Sequence, residues 1–315
     1  MYKIKHKPED FIVKELIDVE LGEGNYFYYT LKKKNYSTPK AIEIIAKRFK
    51  IPLKNVGFAG NKDKVAVTEQ KISIKERKIP EFKSNDLSLI FVGKGSKPIN
   101  LGDNKGNYFE IIVRNISTLP ERKTKFINYF GKQRFSEGNV EIGRSIVKKD
   151  FKKAVELILK QNQKNHEIQM FLDKQKNNHI GALKILPLKM LKFYIHAYQS
   201  DLWNKLAEKF KETQTMEIPL IGFATEVTNE TLETEMQMLL KKEDVRERDF
   251  IIRSLPEISS EGSSRKLFVE AQNLDIGALE NDELNEGMKK VLLKFDLESG
   301  SYATVFIDFL FRSYS

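Results

Sequence analysis

The 315-residue sequence contains no cysteine. This excludes disulfide bonds, thiolate nucleophiles, iron–sulfur clusters and cysteine-based zinc sites, and it fits a reducing compartment. Glycine (17) and proline (9) are few, which argues against a collagen-like or wholly disordered chain. No run approaches the ~18 apolar residues of a membrane-spanning helix, and residues 1–10 lack the apolar core of a signal peptide. We therefore expect no membrane segment and a cytoplasmic location.

Positive charge is unevenly distributed along the sequence. Residues 1–150 contain 31 lysines and arginines against 18 aspartates and glutamates, a net charge of +13. Residues 151–315 contain 23 against 26, a net charge of −3. A basic half indicates a polyanionic partner, with nucleic acid the first candidate. A lysine-rich composition that serves only solubility explains the same excess, so charge alone does not separate the two interpretations.

Apolar periodicity predicts strands in the first part of the chain. Aromatic and β-branched runs indicate strands at 11–13, 26–31, near 65–74, 88–92 and 108–113. Thr38 and Pro39 predict the start of a helix, with Thr38 as its N-cap and Pro39 at its first helical position.

The later part of the chain has a different pattern. From about residue 142 to residue 253 the spacing is mainly helical. Within residues 301–311, the alternate positions 303, 305, 307, 309 and 311 are all apolar, which predicts a strand. A β-rich beginning, a helical middle and a β-rich end predict a discontinuous core, residues 1–143 and 259–315, around a helical insertion at 144–258.

Familiar signatures of metal, nucleotide and hydrolytic sites are missing. The four histidines are scattered without an i, i+4 pair, so a metal site built from them is not expected. Residues 57–62 do not meet the phosphate-loop spacing, and the sequence contains no Gly-x-Ser-x-Gly elbow.

One polar cluster, residues 57–70 (GFAGNKDKVAVTEQ), combines a turn with a carboxylate. The glycines and Asn61 predict a turn before a valine-rich strand, which places Asp63 on a loop where it can face a ligand. Lys62 and Lys64 flank Asp63, and neighbouring cations favour the ionised carboxylate that a nucleophile or base requires. The alternative is an ordinary turn aspartate with solvated lysines.

A second cluster, residues 128–135 (NYFGKQRF), combines amides, aromatic rings and an arginine. Aromatic faces stack on bases, and Asn, Gln and Arg hydrogen-bond base edges or phosphates, so this mixture suits unpaired RNA. The alternative is a strand and turn with core aromatics. Trp203 lies in a helical pattern and is predicted to be a core residue.

Five segments together resemble the tRNA pseudouridine synthase D (TruD) family. They occur in the family's order and span nearly the whole chain: PEDFIVKE at 8–15, GNKDKVAVTEQ at 60–70, NYFGKQRF at 128–135, AYQSDLWN at 197–204 and GSYAT at 300–304. The resemblance implies the α+β pseudouridine synthase fold, a mixed, largely antiparallel sheet with flanking helices, carrying an inserted, mainly helical TRUD-type domain.

The resemblance also implies roles for individual residues. Asp63 is the implied catalytic nucleophile, Phe11 and Tyr302 match aromatic positions that line the uridine pocket, and Asn128 and Phe130 match an amide and an aromatic ring that contact the target. Either Lys5 or Lys62 is the cation that orients Asp63. No metal, nucleotide or redox cofactor is implied, and whether the aspartate attacks the base or the sugar stays open.

The implied function is isomerisation of a uridine in tRNA, with position 13 as the expected site, by a protein expected to be a monomer. A catalytically silent RNA-binding or RNA-chaperone protein on the same scaffold is the alternative. A metal-dependent nuclease is disfavoured because no acidic pair accompanies Asp63 in its motif.

Overall fold

The computed structural model describes residues 2–161, 166–213, 217–227 and 229–311. The chain divides into two compact units, residues 1–126 with 270–315 (unit 1) and residues 127–269 (unit 2). The predicted insertion, residues 144–258, lies wholly within unit 2.

The described residues form 14 strands and eight α-helices. The strands are β1 (Phe11–Leu16), β2 (Tyr26–Lys34), β3 (Val56–Phe58), β4 (Val67–Lys75), β5 (Phe82–Lys83), β6 (Leu87–Gly95), β7 (Gly106–Ile116), β8 (Lys125–Ile127), β9 (Glu217–Leu220), β10 (Ser263–Lys266), β11 (Phe268–Glu270), β12 (Gln272–Ile276), β13 (Glu280–Asn281) and β14 (Lys289–Glu298). The helices are α1 (Thr38–Phe49), α2 (Asn139–Val147), α3 (Phe151–Gln161), α4 (His166–Lys174), α5 (His179–Lys184), α6 (Leu188–Lys209), α7 (Glu230–Glu243) and α8 (Ala303–Phe311).

Unit 1 is built on a ten-stranded mixed sheet. Its main path runs β12-β14-β7-β1-β4-β2-β6-β5, with β13 paired to β14 and β3 paired to β4. Strands β1 and β4 are parallel, with Val13 opposite Thr68, whereas the other pairs of this sheet are antiparallel. This arrangement confirms the predicted mixed, largely antiparallel sheet.

Helix α1 packs its apolar face on the β2, β4 and β6 side of the sheet. Ala41, Ile42 and Ile45 are buried in one cluster with Leu31 and Ile72. The predicted N-cap is wrong by one residue, because the side chain of Ser37, not that of Thr38, accepts the N–H of Lys40. Thr38 is the first helical residue, and its buried hydroxyl is directed to other partners.

The predicted strand at 301–311 is also wrong, since this segment is helix α8. Eight of the 11 residues of the segment are apolar, so positions 303, 305, 307, 309 and 311 match a strand while positions 303, 306, 307, 310 and 311 match one face of a helix. The structure buries that helical set. Phe306 is fully buried, with ring centroids 4.8 Å from Phe295 of β14 and 5.0 Å from Phe126.

Unit 2 is mainly helical, as predicted, and contains the two-stranded sheet of β9 and β10. Its longest helix, α6, carries Trp203, which is fully buried and donates its indole N–H to the carbonyl of Ile218 (3.3 Å). The prediction of Trp203 as a core residue is confirmed. Across the described residues, every helix is too short or too polar to cross a membrane.

Replacing Phe306 by Ala tests the packing of α8 on the sheet. Removal of this buried ring leaves a cavity, so the free energy of unfolding should fall by about 3–5 kcal/mol. Leu101→Ala is the control, because Leu101 is 74 % exposed and its loss should change stability by less than about 0.5 kcal/mol. Urea denaturation measures both, and equal small effects would contradict the helical packing.

Candidate active site

Asp63 lies on the loop between β3 and β4 in unit 1, as predicted. Its side chain is 36 % exposed, so a carboxylate oxygen is open to a ligand. The ammonium group of Lys5 lies 2.5 Å from Oδ2 of Asp63 and donates a hydrogen bond to it. A loop carboxylate is therefore held by one cation and still reachable from solvent.

Phe11 completes this group. The ammonium of Lys5 lies 4.2 Å from the centroid of the Phe11 ring, within the range of a cation–π contact. Phe11 is the first residue of β1, is 2 % exposed and packs edge-on against Phe109 of β7. The structure thus brings together three of the predicted site residues, Lys5, Phe11 and Asp63.

Lys62 has a different partner. Its ammonium lies 2.6 Å from Oε1 of Glu15, and the two side chains are 7 % and 0 % exposed. The other oxygen of Glu15 accepts the backbone N–H of Lys71 in β4 (3.0 Å). Of the two lysines left open by the sequence, the one in contact with Asp63 is Lys5, while Lys62 forms a buried ion pair behind the loop.

Polar side chains of α1, β2 and β4 form hydrogen bonds with the backbone of residues 60–63. The hydroxyl of Thr38 accepts the N–H of Lys62 (2.9 Å) and donates to Oε1 of Gln70 (2.8 Å), while Nε2 of Gln70 donates to the carbonyl of Gly60 (3.1 Å). The ammonium of Lys33 donates to the carbonyls of Asp63 (2.8 Å) and Lys62 (3.3 Å).

Sequence reasoning missed these supporting residues, although three of them, Glu15, Gln70 and Lys33, left a signal. Glu15 and Gln70 stand within the motifs at 8–15 and 60–70 as polar residues without an assigned role. Lys33 lies two residues after the buried Leu31, so strand periodicity places it on the core face. Nothing in the local pattern distinguishes Thr38 from a helix cap.

The turn that precedes Phe11 is fixed by a buried arginine. The guanidinium of Arg114 in β7 donates to both carboxylate oxygens of Asp10 (2.9 and 2.8 Å) and to Asp282 (2.9 Å). The hydrogen bond to Asp10 raises the pKa of Arg114 above its usual range. Burial opposes ionisation of Asp282, but hydrogen bonds from neighbouring backbone N–H groups, Asn285 and Arg114 lower its pKa to about 2. This network anchors the first motif to the sheet.

Tyr302 lies directly before α8 in unit 1 and is half-buried. Its carbonyl accepts the N–H groups of Val305 (3.0 Å) and Phe306 (3.1 Å), so its backbone starts the helix. Its predicted role in the uridine pocket stays a prediction.

Asn128 and Phe130 belong to a compact cluster within unit 2. Arg265 donates to the backbone carbonyl (2.8 Å) and to Oδ1 (2.7 Å) of Asn128, and its guanidinium lies 4.1 Å from the Phe130 ring centroid. Trp203 packs edge-on against the same ring at 5.6 Å. The N–H of Phe130 donates to Oδ1 of Asn204 (2.9 Å). The sequence indicated the mixture of amide, ring and arginine, but Arg265 is distant in sequence and was missed.

Among the residues that the structure describes, no group of three or more histidine, aspartate or glutamate side chains lies close enough to hold a metal ion. The expectation of a cofactor-free site stays a prediction.

Comparisons with known proteins agree with the fold and the motifs. The family model described as tRNA pseudouridine synthase D (TruD) matches residues 2–171 and 207–308. A protein from Aquifex aeolicus named tRNA pseudouridine synthase D is 30 % identical, with 99 % of this chain and 98 % of that protein covered. A Methanocaldococcus jannaschii protein named probable tRNA pseudouridine synthase D 2 is 31 % identical over 97 % of this chain and 90 % of that protein.

A solved structure extends the likeness to three dimensions. The crystal structure of a Methanosarcina mazei protein named putative tRNA pseudouridine synthase D (TruD) superposes with a TM-score of 0.77 at 25 % identity, over 98 % of this chain and 93 % of that one. The fold is therefore the predicted pseudouridine synthase fold, and the chain is an isomerase of that class. It belongs to the tRNA pseudouridine synthase D (TruD) family, which supports a uridine isomerase activity on tRNA.

Lys62→Met tests the ion pair behind the loop. Loss of the cation leaves the carboxylate of Glu15 buried without a counter-charge, so the free energy of unfolding should fall by about 3–5 kcal/mol. The double variant Lys62→Met/Glu15→Gln should recover much of this loss, because a neutral amide still accepts the Lys71 N–H.

The control for this cycle is Lys97→Met, which breaks the exposed Lys97–Glu20 pair (72 % and 82 % exposed). It should cost less than about 1 kcal/mol. Guanidinium denaturation measures all variants, and a Lys62→Met effect as small as that of Lys97→Met would contradict a buried pair.

Proposed function

We propose that the chain converts a uridine in tRNA, at position 13, to pseudouridine, with Asp63 as the nucleophile. The observation that carries the proposal is the geometry of Asp63: a partly exposed loop carboxylate, 2.5 Å from the Lys5 ammonium, on a backbone held by buried side chains. A group in fixed geometry with an adjacent counter-charge is suited to attack a bound nucleotide.

The reaction is an isomerisation, so its atoms balance within the uridine. The bond between N1 of uracil and C1′ of the ribose breaks, the base rotates, and a bond between C5 and C1′ forms. The proton on C5 passes to solvent, and N1, which carries no proton in uridine, gains one from solvent. The carboxylate of Asp63 forms a transient covalent bond either to the base or to the sugar and is regenerated, so no oxidant or reductant is needed.

The base must leave its stack before this chemistry, at a cost of a few kcal/mol. Aromatic side chains offset that cost by stacking on the exposed base. In unit 1, Tyr302, which is half-buried, is the ring proposed to stack on the base, and Phe11, 2 % exposed, is proposed to line the pocket next to Lys5. Within unit 2, Phe130 is proposed as an RNA contact. The amide of Asn128 is the proposed polar contact to the RNA. Because the proposed substrate is tRNA, we also propose a cytoplasmic location.

Asp63→Asn tests the nucleophile. With an unmodified tRNA transcript, pseudouridine formation should fall by about 10³-fold or more, because the amide cannot form the covalent intermediate. Filter binding should show RNA affinity within about threefold of the wild type, since the substitution keeps the side-chain shape. Carbodiimide-blocked reverse transcription detects the product.

The matched control is Asp18→Asn, which neutralises an exposed aspartate in the same unit, 81 % exposed and paired with Lys105. It should leave the rate unchanged. Full activity of Asp63→Asn would overturn the nucleophile assignment, and a wild-type chain that binds tRNA without forming product would favour the silent RNA-binding alternative.

The position of the target is tested with the substrate. The transcript should show one new carbodiimide stop, at uridine 13, and the same transcript with cytidine at position 13 should show none. A product at another uridine, or one that persists in the cytidine transcript, would contradict the assignment of position 13.

A further inference from the structure

Lys33 is a lysine in a core position. It is 1 % exposed, in the middle of a Lys32–Lys33–Lys34 run at the end of β2, where Lys32 is exposed and Lys34 is partly exposed. Lys33 shares its strand face with Leu31, which is fully buried. A buried ammonium is costly to desolvate, so its polar contacts must compensate for that cost.

Those contacts converge on Asp63. The Lys33 ammonium donates to the carbonyl of Lys62 (3.3 Å) and to the carbonyl of Asp63 (2.8 Å). These carbonyls belong to the two peptide groups on either side of the Asp63 α-carbon. Because both peptide planes are held, the direction in which the Asp63 side chain leaves the backbone is held as well.

The charged groups around Lys33 belong to the loop at residues 62–63. Asp63 attracts its charge, while Lys62 repels it and is itself paired with Glu15 of β1. Thr68 of β4 and Leu87 of β6 lie opposite Lys33 in the sheet and bring no charge. Burial lowers the pKa of Lys33 to about 8, and the charge of Asp63 opposes part of that shift.

We propose that Lys33 is a positioning residue for Asp63, whose buried positive charge holds both flanking peptide groups and thereby aims the carboxylate at the substrate. It does not touch the RNA and acts through the loop backbone. This inference rests on the proposed role of Asp63. The two lysines have different roles. Lys5 contacts the carboxylate of Asp63, whereas Lys33 holds the backbone on either side of Asp63.

Three variants test the inference. Lys33→Met keeps the length of the side chain but removes charge and donors, and it should lower the single-turnover rate at saturating enzyme by about 10–100-fold. RNA affinity should change by less than about threefold. Lys33→Arg keeps the charge and should retain most of the rate. Thr68→Val is the matched control, because the Thr68 hydroxyl is buried opposite Lys33 without a hydrogen-bond partner, and it should leave the rate unchanged.

The pH profile distinguishes charge-dependent positioning from mere packing. A lysine whose pKa is lowered to about 8 loses its proton as the pH rises through that value. The wild-type rate should therefore fall by about tenfold between pH 7 and pH 9. Lys33→Arg should stay flat from pH 7 to 9, because a guanidinium keeps its proton. Lys33→Met should be slow and equally flat. Circular dichroism and melting curves at each pH confirm that the variants are folded.

Either of two results with the variants would overturn the inference. One is a Lys33→Met rate within about twofold of the wild type, and the other is an alkaline fall in rate that is the same in the wild type and in Lys33→Arg. A wild-type profile without any fall by pH 9 would also overturn it, and this measurement needs no variant to fold. The Asp63→Asn variant separates this from the proposed function: if Asp63→Asn is inactive while Lys33→Met is normal, only the positioning role fails.

Discussion

The structure around Asp63 depends on one constraint, the buried hydrogen bonding of the loop backbone at residues 60–63. An irregular backbone next to a core must satisfy its N–H and C=O groups, since each one left unpaired costs about 1–3 kcal/mol. Here Thr38, Gln70 and Lys33 reach this backbone from three elements, and the Lys62–Glu15 pair ties the loop to β1. A side chain on such a loop has little freedom to turn away, which is the requirement for a nucleophile in fixed geometry.

The sheet order explains how these groups meet. Strand β4 lies between β1, to which it is parallel, and β2, to which it is antiparallel. Glu15 of β1 therefore reaches the backbone of Lys71 in β4, while Lys33 of β2 lies opposite Thr68 of the same strand. The loop that enters β4 contacts side chains of both neighbours, Glu15 and Lys33. The two neighbours of β4 thus supply an acid, Glu15 of β1, on one side and a cation, Lys33 of β2, on the other.

Much of this was predictable from the sequence, and the failures have physical causes. The strands of the first half, the Asp63 loop and the core position of Trp203 follow from local periodicity and turn residues. The strand prediction at helix α8 fails because the apolar residues of this segment fit both the two-residue period of a strand and the 3.6-residue period of a helix. The partners of Asn128 and Lys62 could not be read locally, since Arg265 and Glu15 are 137 and 47 residues away from them.

The uneven distribution of net charge along the sequence largely disappears when the residues are counted by structural unit. By sequence halves the net charge is +13 and −3, but unit 1 contains 30 basic and 24 acidic residues, a net +6, and unit 2 contains 24 and 20, a net +4. The acidic C-terminal segment returns to the sheet of unit 1 and offsets the basic N-terminal half. Some of the basic side chains are also buried in ion pairs, as Lys62 is with Glu15 and Arg114 with Asp10. A polyanion responds to the cations that stay accessible at the surface rather than to a sum over half a chain. The attraction for tRNA therefore depends on the placement of individual accessible lysines and arginines.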